Sequence, residues 1–199
     1  MEDQERSRGW QQWVFALGVA AFVFAINYNN HVWHATPLPR VLGESIHAVR
    51  VTSDHAAYTA SLLASPAAAL LPVPVVGVPS SEVADTFGAP RGTDRTHQGV
   101  DIFAPRGTYI LSATEGIVAR IGTNGLGGNV VFVLGPGGER YYYAHLDEVD
   151  PVLELGQRVS TTTIIGRVGT TGNAAGTPPH LHFGIYGAGG AQNPFSRLD

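Results

Sequence analysis

Short runs of β-branched and aromatic residues, separated by glycine and proline, make up the chain from about residue 73, and this pattern leaves few folds open. The 25 glycines and 13 prolines of the 199-residue chain favour tight turns between short strands. Turn signals such as NGLGGN and GPGGE stand between the runs. The predicted strands are residues 109–113, 116–121, 129–134, 140–145, 164–168 and 180–186. With 44% apolar residues available for a core, the sequence predicts an all-β domain over residues 73–199.

An uncharged apolar run near the N-terminus, WVFALGVAAFVFAI at residues 13–26, is the one membrane signal. With its flanking aromatic residues it approaches the lower limit of ~17 residues for a spanning helix. A cleaved signal peptide and a buried core helix are the alternatives, but no small-x-small cleavage site follows the run. We expect residues 1–30 to form a cytoplasmic stub and an uncleaved anchor, with Arg6 and Arg8 on the cytoplasmic side.

Residues 31–72 predict a short stalk and linker between the anchor and the β domain. An alanine-rich stretch here favours a helix that breaks at Pro66, and the prolines of LPVPVVGVP (71–79) prevent a helix from continuing. Four histidines of the N-terminal part have no partners at ligand-like spacing, and we expect them to be solvated surface residues. They are His31, His34, His47 and His55.

Composition excludes several classes of function. The formal net charge of −4 provides no basic surface for nucleic acid. The absence of cysteine excludes a disulfide framework and a thiolate zinc site, so histidine and carboxylate must hold any metal. The segment GQRVSTTTIIGRVG resembles lipoyl and biotinyl carrier domains, but these attach their cofactor to a lysine, and all 12 basic residues are arginines.

Two histidines one residue apart, in TPPHLHFGI, form the first candidate site. On a strand, residues i and i+2 point to the same face, so His180 and His182 should direct their rings into one small volume. Such a pair is either a pair of satisfied polar residues on a sheet surface or part of a metal or catalytic site.

A second candidate cluster lies in THQGVDIFAPRGT, where His97 and Asp101 are separated by three residues. The glycine and the β-branched residues favour a turn that runs into a strand, and there the two side chains share a face. An aspartate that accepts a loop hydrogen bond is the alternative. Combined with His182, the pair would make two imidazoles and a carboxylate, a ligand set that leaves a fourth tetrahedral position open, as catalytic zinc sites do.

The segment RYYYAHLDEV supplies a third element, in which Tyr141, Tyr143 and His145 are predicted to alternate onto one strand face. That face either packs its aromatic rings against neighbouring strands or faces the metal site. In the second case His145 could act as an acid, a base or a charge stabiliser. Tyr143 could stabilise developing charge, with core packing as the alternative.

Residues from about 75 to 194 resemble the lysostaphin/LytM-type zinc metalloendopeptidases, which have the duplicated hybrid motif fold. The resemblance rests on FGAPRGTDRTHQGVDIFAPRGT, GGNVVFV, YYYAHL, LGQRVSTTTIIGRVGTTGNAAGTPPHLHFGI and the closing NP. The His-x-x-x-Asp, single-His and His-x-His motifs occur in the family's order. The resemblance implies a LytM-like antiparallel β-sandwich or half-barrel catalytic domain behind the membrane helix and helical stalk.

By position, the resemblance implies that His97, Asp101 and His182 hold one zinc ion, with His145 and His180 as catalytic histidines. It implies hydrolysis of peptide cross-bridges in peptidoglycan by metal-activated water, with peptidoglycan stem peptides as partners. It also implies a bacterial inner-membrane protein whose catalytic domain lies in the periplasm or on the extracellular face.

Some relatives that have lost ligands activate other cell-wall hydrolases, so a membrane-tethered, non-catalytic regulator of amidases is the alternative function. None of the five family positions is substituted here, which favours an enzyme. Family substrates include glycyl-glycine and D-alanyl-diaminopimelate bridges, and the sequence does not choose between them. It does not set an oligomeric state either.

Overall fold

The computed structural model describes residues 43–93 and 95–199, with side chains from Asp54 onward. The chain divides into two compact units, Met1–Thr59 and Ala60–Asp199. The predicted anchor at residues 13–26 lies outside the described residues. Within the described ranges, no helix combines the length and the apolar character needed to cross a bilayer.

The predicted helical segment is confirmed as helix α1, Gly43–Ala64. It ends just before Pro66, because the ring of a proline disfavours helical geometry at the residue preceding it. The Ser65 amide still donates to the carbonyl of Ser61 at 3.0 Å, which closes the last turn. Of the four histidines expected on the surface, only His55 has a described side chain, and it is half-buried rather than fully solvated.

All six predicted strands are present, and three more complete the sheet. They are β1 Val100–Phe103, β2 Tyr109–Leu111, β3 Gly116–Asn124, β4 Gly128–Leu134, β5 Arg140–Val149, β6 Arg158–Val159, β7 Ile164–Val168, β8 His180–Gly187 and β9 Gly190–Gln192. The strand pairs are antiparallel throughout, so the predicted antiparallel β domain is confirmed. The added strands β6 and β9 have two and three residues and present little pattern to detect.

The strands form one hydrogen-bonded sheet in the order β1-β8-β5-β4-β3-β6, with β2 joined through β7 and with β9 beside β8. Strand β5 is the centre of this arrangement. One edge pairs with β4, while the other edge pairs first with β8 and then with β7. The sheet therefore branches along β5, between the pair Ala144–His182 and the pair Leu146–Val168.

The proline-containing segment at residues 71–79 contributes to the core of the unit. Leu71 and Val75 are each only 1% exposed and belong to the central apolar cluster. The Leu71 amide donates to the carbonyl of Arg197 at 2.7 Å, and its carbonyl accepts from the amide of Asp199 at 3.0 Å. Proline forbids a helix but permits extended backbone, so these residues can pack alongside the chain end.

A buried ion pair fastens the C-terminal residues to the sheet. Arg197 donates from both terminal nitrogens to the carboxylate of Glu139, at 2.9 and 2.8 Å, and also contacts the carbonyl of Ala68. Burial alone would raise the pKa of Glu139, but hydrogen bonds from Arg197 and Tyr141 outweigh it and lower that pKa. The planar guanidinium suits this two-point contact, which joins three distant parts of the chain.

Leu71 and its neighbour provide a matched test of the packing. Leu71→Ala should lower the free energy of unfolding by about 2–4 kcal/mol, since it removes buried methyl groups and leaves a cavity. Leu70 is 64% exposed, so Leu70→Ala should change it by less than about 0.5 kcal/mol. Urea unfolding of the full chain, followed by circular dichroism, measures both. Equal effects would contradict the placement of this segment in the core.

Candidate metal centre

Pairing of β1 with β8 brings two of the predicted site residues together. In this antiparallel register Asp101 lies opposite His182, and Phe103 lies opposite His180. Side chains directly opposite each other on neighbouring strands are close enough to interact. His180 and His182 are two residues apart on β8, and both line the same groove, so the prediction of a shared face is confirmed.

His97 approaches from a short hairpin before β1. Its amide donates to the carbonyl of Ala89, and its carbonyl accepts from the amide of Gly88, both at 2.8 Å. The ring Nδ1 lies 2.8 Å from the carbonyl of Thr86. The same nitrogen lies 3.1 Å from Arg91 Nη2, and Nε2 faces the other site residues.

Three donor atoms converge between these elements. His97 Nε2 lies 2.8 Å from His182 Nδ1 and 3.0 Å from Asp101 Oδ1, and the latter two atoms are 3.2 Å apart. Two imidazole nitrogens and one carboxylate oxygen are ligands that zinc accepts. The carbonyl of Thr86 contacts the other ring nitrogen of His97 and orients the ring. The described residues therefore fit a zinc ion, and this cluster could hold one.

Arg91 is a site residue that the sequence analysis missed. Its guanidinium contacts Asp101 Oδ2, while Oδ1 faces the histidines, so each carboxylate oxygen has its own partner. Burial alone would raise the pKa of Asp101, but hydrogen bonds from His182, His97 and Arg91 outweigh it and hold that pKa far below its usual range. The carboxylate is therefore charged at neutral pH. Arg91 stands six residues before His97, a spacing without an independent signal in a single sequence.

Gly99 permits the close approach of β8 to the loop before β1. A Cβ at this position would lie 2.4 Å from the carbonyl oxygen of Phe183 and 2.8 Å from Cε1 of the His182 ring. The carbonyl oxygen of Phe183 belongs to the backbone of β8, so it cannot move aside without distorting the sheet. Only glycine leaves room here for the imidazole to turn toward His97 and Asp101.

His145 occupies the branch point of β5 in a left-handed backbone conformation with φ of 63°. Its amide donates to the carbonyl of Gly127 at 2.7 Å, and its ring Nδ1 lies 2.9 Å from the carbonyl of Thr171. Thr171 is itself fixed, because its hydroxyl donates to the Leu146 carbonyl at 2.9 Å and accepts from the Asn129 amide. A non-glycine residue in this conformation is uncommon and often marks a functional site.

The prediction that Tyr141, Tyr143 and His145 share a face is wrong. Both tyrosines are fully buried in the core, whereas His145 lines the groove together with Tyr142 and Ala144. Strict alternation would place His145 in the core, but the left-handed residue breaks the alternation and turns the ring into the groove.

Tyr143 is consequently a packing residue and not a charge stabiliser. Its hydroxyl accepts from the amide of Ala113 at 2.8 Å, and burial raises its pKa to about 12. The tyrosine that faces the site is Tyr142, whose ring meets that of His182 edge-on with centroids 5.8 Å apart. Asn124 Nδ2 donates to the Tyr142 hydroxyl at 3.3 Å.

His180 lies beside His145 at the wall of the groove. Its ring centroid is 5.0 Å from that of His145, and its Nε2 is 3.9 Å from Asp101 Oδ1. Nδ1 of His180 lies 2.8 Å from the carbonyl of Pro178, so Nδ1 donates a hydrogen bond and the unprotonated Nε2 points toward the site.

The pKa of His145 is also shifted. Burial is the main cause that lowers this pKa to about 4, so the His145 ring is neutral at pH 7.

All five predicted site residues thus line one open groove with a volume of about 1160 Å³. Segments from the hairpin before β1, the β3–β4 turn and the loop before β8 form its walls. An extended peptide could lie in such a groove with an amide above the histidine and aspartate cluster.

Comparisons with known proteins agree with this arrangement. Residues 95–194 match Peptidase family M23. The chain is 36% identical over 108 residues to the L-Ala–D-Glu endopeptidase of Bacillus subtilis (strain 168), which is 51% of this chain and 33% of the relative. It is 34% identical over 103 residues to the peptidoglycan DD-endopeptidase ShyC of Vibrio cholerae serotype O1, which is 52% of this chain and 23% of the relative.

The fold of this chain is also similar to that of a solved structure. The catalytic domain of the antimicrobial peptidase lysostaphin from Staphylococcus simulans matches with a TM-score of 0.50 and 31% identity, over 56% of this chain and 87% of that domain. The family match spans about half of the chain and contains all five predicted site residues. The resemblance inferred from the motifs is therefore confirmed, and the chain belongs to Peptidase family M23.

Proposed function

We propose that the chain is a zinc-dependent endopeptidase that hydrolyses peptide cross-bridges of bacterial peptidoglycan. The convergence of His97, Asp101 and His182 beside two further histidines in one groove carries this proposal. The names of the relatives support the substrate class, since one is an L-Ala–D-Glu endopeptidase and another a peptidoglycan DD-endopeptidase.

In this proposal His97 Nε2, Asp101 Oδ1 and His182 Nδ1 are the zinc ligands. When bound, zinc supplies a Lewis acid that polarises the scissile carbonyl and lowers the pKa of a water molecule. Arg91 holds the second carboxylate oxygen, which favours binding of the metal through Oδ1 alone. A hydrogen bond from His97 Nδ1 to the carbonyl of Thr86 would leave Nε2 free as a ligand.

His145 and His180 are proposed to move the protons of the reaction. Each ring donates Nδ1–H to a backbone carbonyl, so the neutral ring presents an unprotonated Nε2 to the groove. One Nε2 accepts the proton of the attacking water as oxygen adds to the carbonyl carbon. That proton passes to the leaving nitrogen as the C–N bond breaks, which releases a neutral amine. Burial lowers the pKa of His145, so its ring is unprotonated at neutral pH.

The non-catalytic regulator is less well supported. A regulator that acts without hydrolysis has no need for a complete ligand set or for two further histidines with fixed tautomers. Here the hydrogen bonds to Thr86, Thr171 and Pro178 orient three rings toward one groove. Such preorganisation is what a reaction centre needs.

We also propose that residues 1–30 anchor the protein in the inner membrane, with the catalytic domain in the periplasm or on the extracellular face. The apolar run at 13–26 and the arginines at positions 6 and 8 support this orientation. Alkaline phosphatase fused after Asp199 should be active in cells, because it folds only outside the cytoplasm. An inactive fusion, with a cytoplasmic reporter active at the same position, would reverse the topology.

Metal content and turnover should respond separately to variants of this site. His182→Ala removes a ligand, so zinc per protein should fall sharply. His180→Ala and His145→Asn keep all three ligands, so zinc should remain while hydrolysis of purified peptidoglycan falls by ~100-fold to 10,000-fold, the contribution of a positioned acid or base. Asparagine is chosen at position 145 because it tolerates the left-handed conformation found there.

Zinc is measured by elemental analysis of the full chain, and hydrolysis by chromatography of released fragments. His55→Ala, on helix α1, serves as the control and should change neither quantity. Loss of zinc from His180→Ala as complete as from His182→Ala would contradict the assigned roles. A wild-type protein that holds zinc but cleaves no peptidoglycan would contradict the proposed function.

A further inference from the structure

We infer that Arg95 binds a carboxylate of the substrate beside the scissile amide, so that the groove selects acidic stem-peptide cross-links over neutral oligoglycine bridges. This inference rests on the proposed function and specifies its substrate class.

Three side chains that line the groove in the described part of the chain are formally charged at neutral pH: Arg91, Arg95 and Asp101. Arg91 and Asp101 contact each other directly, and Asp101 is also one of the three candidate metal ligands. Arg95 is exposed, and no carboxylate of the described residues contacts it. Among the described residues, the groove therefore offers one cation that forms no ion pair with a carboxylate.

Two other exposed arginines, Arg120 and Arg140, also form no ion pair with a described carboxylate, but they lie outside the lining of the groove. Three further arginines of the domain do have carboxylate partners. Arg106 pairs with Asp147, Arg167 with Glu148 and Arg197 with Glu139. These pairs lie at the surface or within the protein away from the lining of the groove. Arg95 carries the same guanidinium group, but this residue lines the groove in which a peptide would bind.

The hairpin before β1 holds Arg95 close to the reaction centre. Its backbone is braced on both sides, since the Arg91 amide donates to the Arg95 carbonyl at 2.8 Å and Pro90 bridges to Thr96. Arg95 lies two positions before the candidate ligand His97, which is at most ~7 Å of extended chain. The long side chain can therefore reach a group within about one residue of the scissile amide.

A guanidinium binds carboxylate through two parallel hydrogen bonds, and such charge-assisted contacts are stronger than neutral ones. In a D-alanyl-diaminopimelate cross-link, the carbon that carries the acylated nitrogen also carries a free carboxylate. An oligoglycine bridge has no carboxylate along its interior. The remaining polar side chains of the groove, including Asn124, Asn173 and Thr177, are neutral and suit the peptide backbone of either substrate.

The test compares three defined substrates with the full-length, zinc-loaded protein. The first is a stem-peptide dimer cross-linked by D-alanyl-diaminopimelate with free carboxylates, the second is the same dimer amidated at the carboxyl beside the cross-link, and the third is a dimer joined by pentaglycine. The variants are Arg95→Gln, Arg95→Lys and, as a control that removes one charge outside the groove, Arg106→Gln. Zinc per protein is measured for each variant.

We expect the wild type to prefer the free-carboxylate dimer, and Arg95→Gln to lower kcat/KM for it by about 10- to 100-fold, the range for loss of a charged hydrogen bond. The amidated dimer should be cleaved at similar rates by the wild type and by Arg95→Gln. Arg95→Lys should restore part of the preference, while Arg106→Gln and the zinc contents should not change.

Two results would overturn the inference while leaving the proposed function intact. These are equal cleavage of the free and amidated dimers by the wild type, and faster cleavage of the pentaglycine dimer. A wild-type protein that holds zinc but cleaves none of the three would instead contradict the proposed function, and this inference with it.

Discussion

The antiparallel pairing of β1 with β8 is the constraint on which the site depends. It sets Asp101 directly opposite His182. His180, two residues before His182 on β8, lies on the same face of the sheet. A shift of this register by one residue would move every side chain of one strand to the other face of the sheet. The core residues of both strands, such as Val100 and Phe183, fix the register because they are buried only in this alignment.

The branching of the sheet along β5 supplies the second constraint. Where β5 leaves β8 and joins β7, regular alternation cannot continue, and His145 takes the left-handed conformation at that point. The conformational cost of that residue is offset by a hydrogen bond from its amide to the Gly127 carbonyl and by one between its ring and the Thr171 carbonyl. The fold thereby presents His145 to the groove from a strand whose Tyr141 and Tyr143 belong to the core.

Much of this arrangement could be predicted from the sequence, because motif spacing and strand periodicity reflect local geometry. The His-x-His pair and the six strands followed from alternation and turn residues, and the position of each motif in the family's order indicated the candidate ligands. The orientation of His145 could not be predicted, since it arises from a change of strand partner between residues far apart in the chain. Arg91 and the buried position of Leu71 depend on tertiary contacts that leave no periodic signal.

The central claim is that zinc binds to three particular atoms, and anomalous X-ray diffraction from crystals of the zinc-loaded protein tests it most directly. Data collected on both sides of the zinc absorption edge locate the metal independently of the protein phases. The account predicts one strong peak about 2.0–2.2 Å from His97 Nε2, Asp101 Oδ1 and His182 Nδ1, with His145 and His180 outside bonding distance. A peak bonded to His145 or His180, or the absence of any peak in this groove, would contradict it.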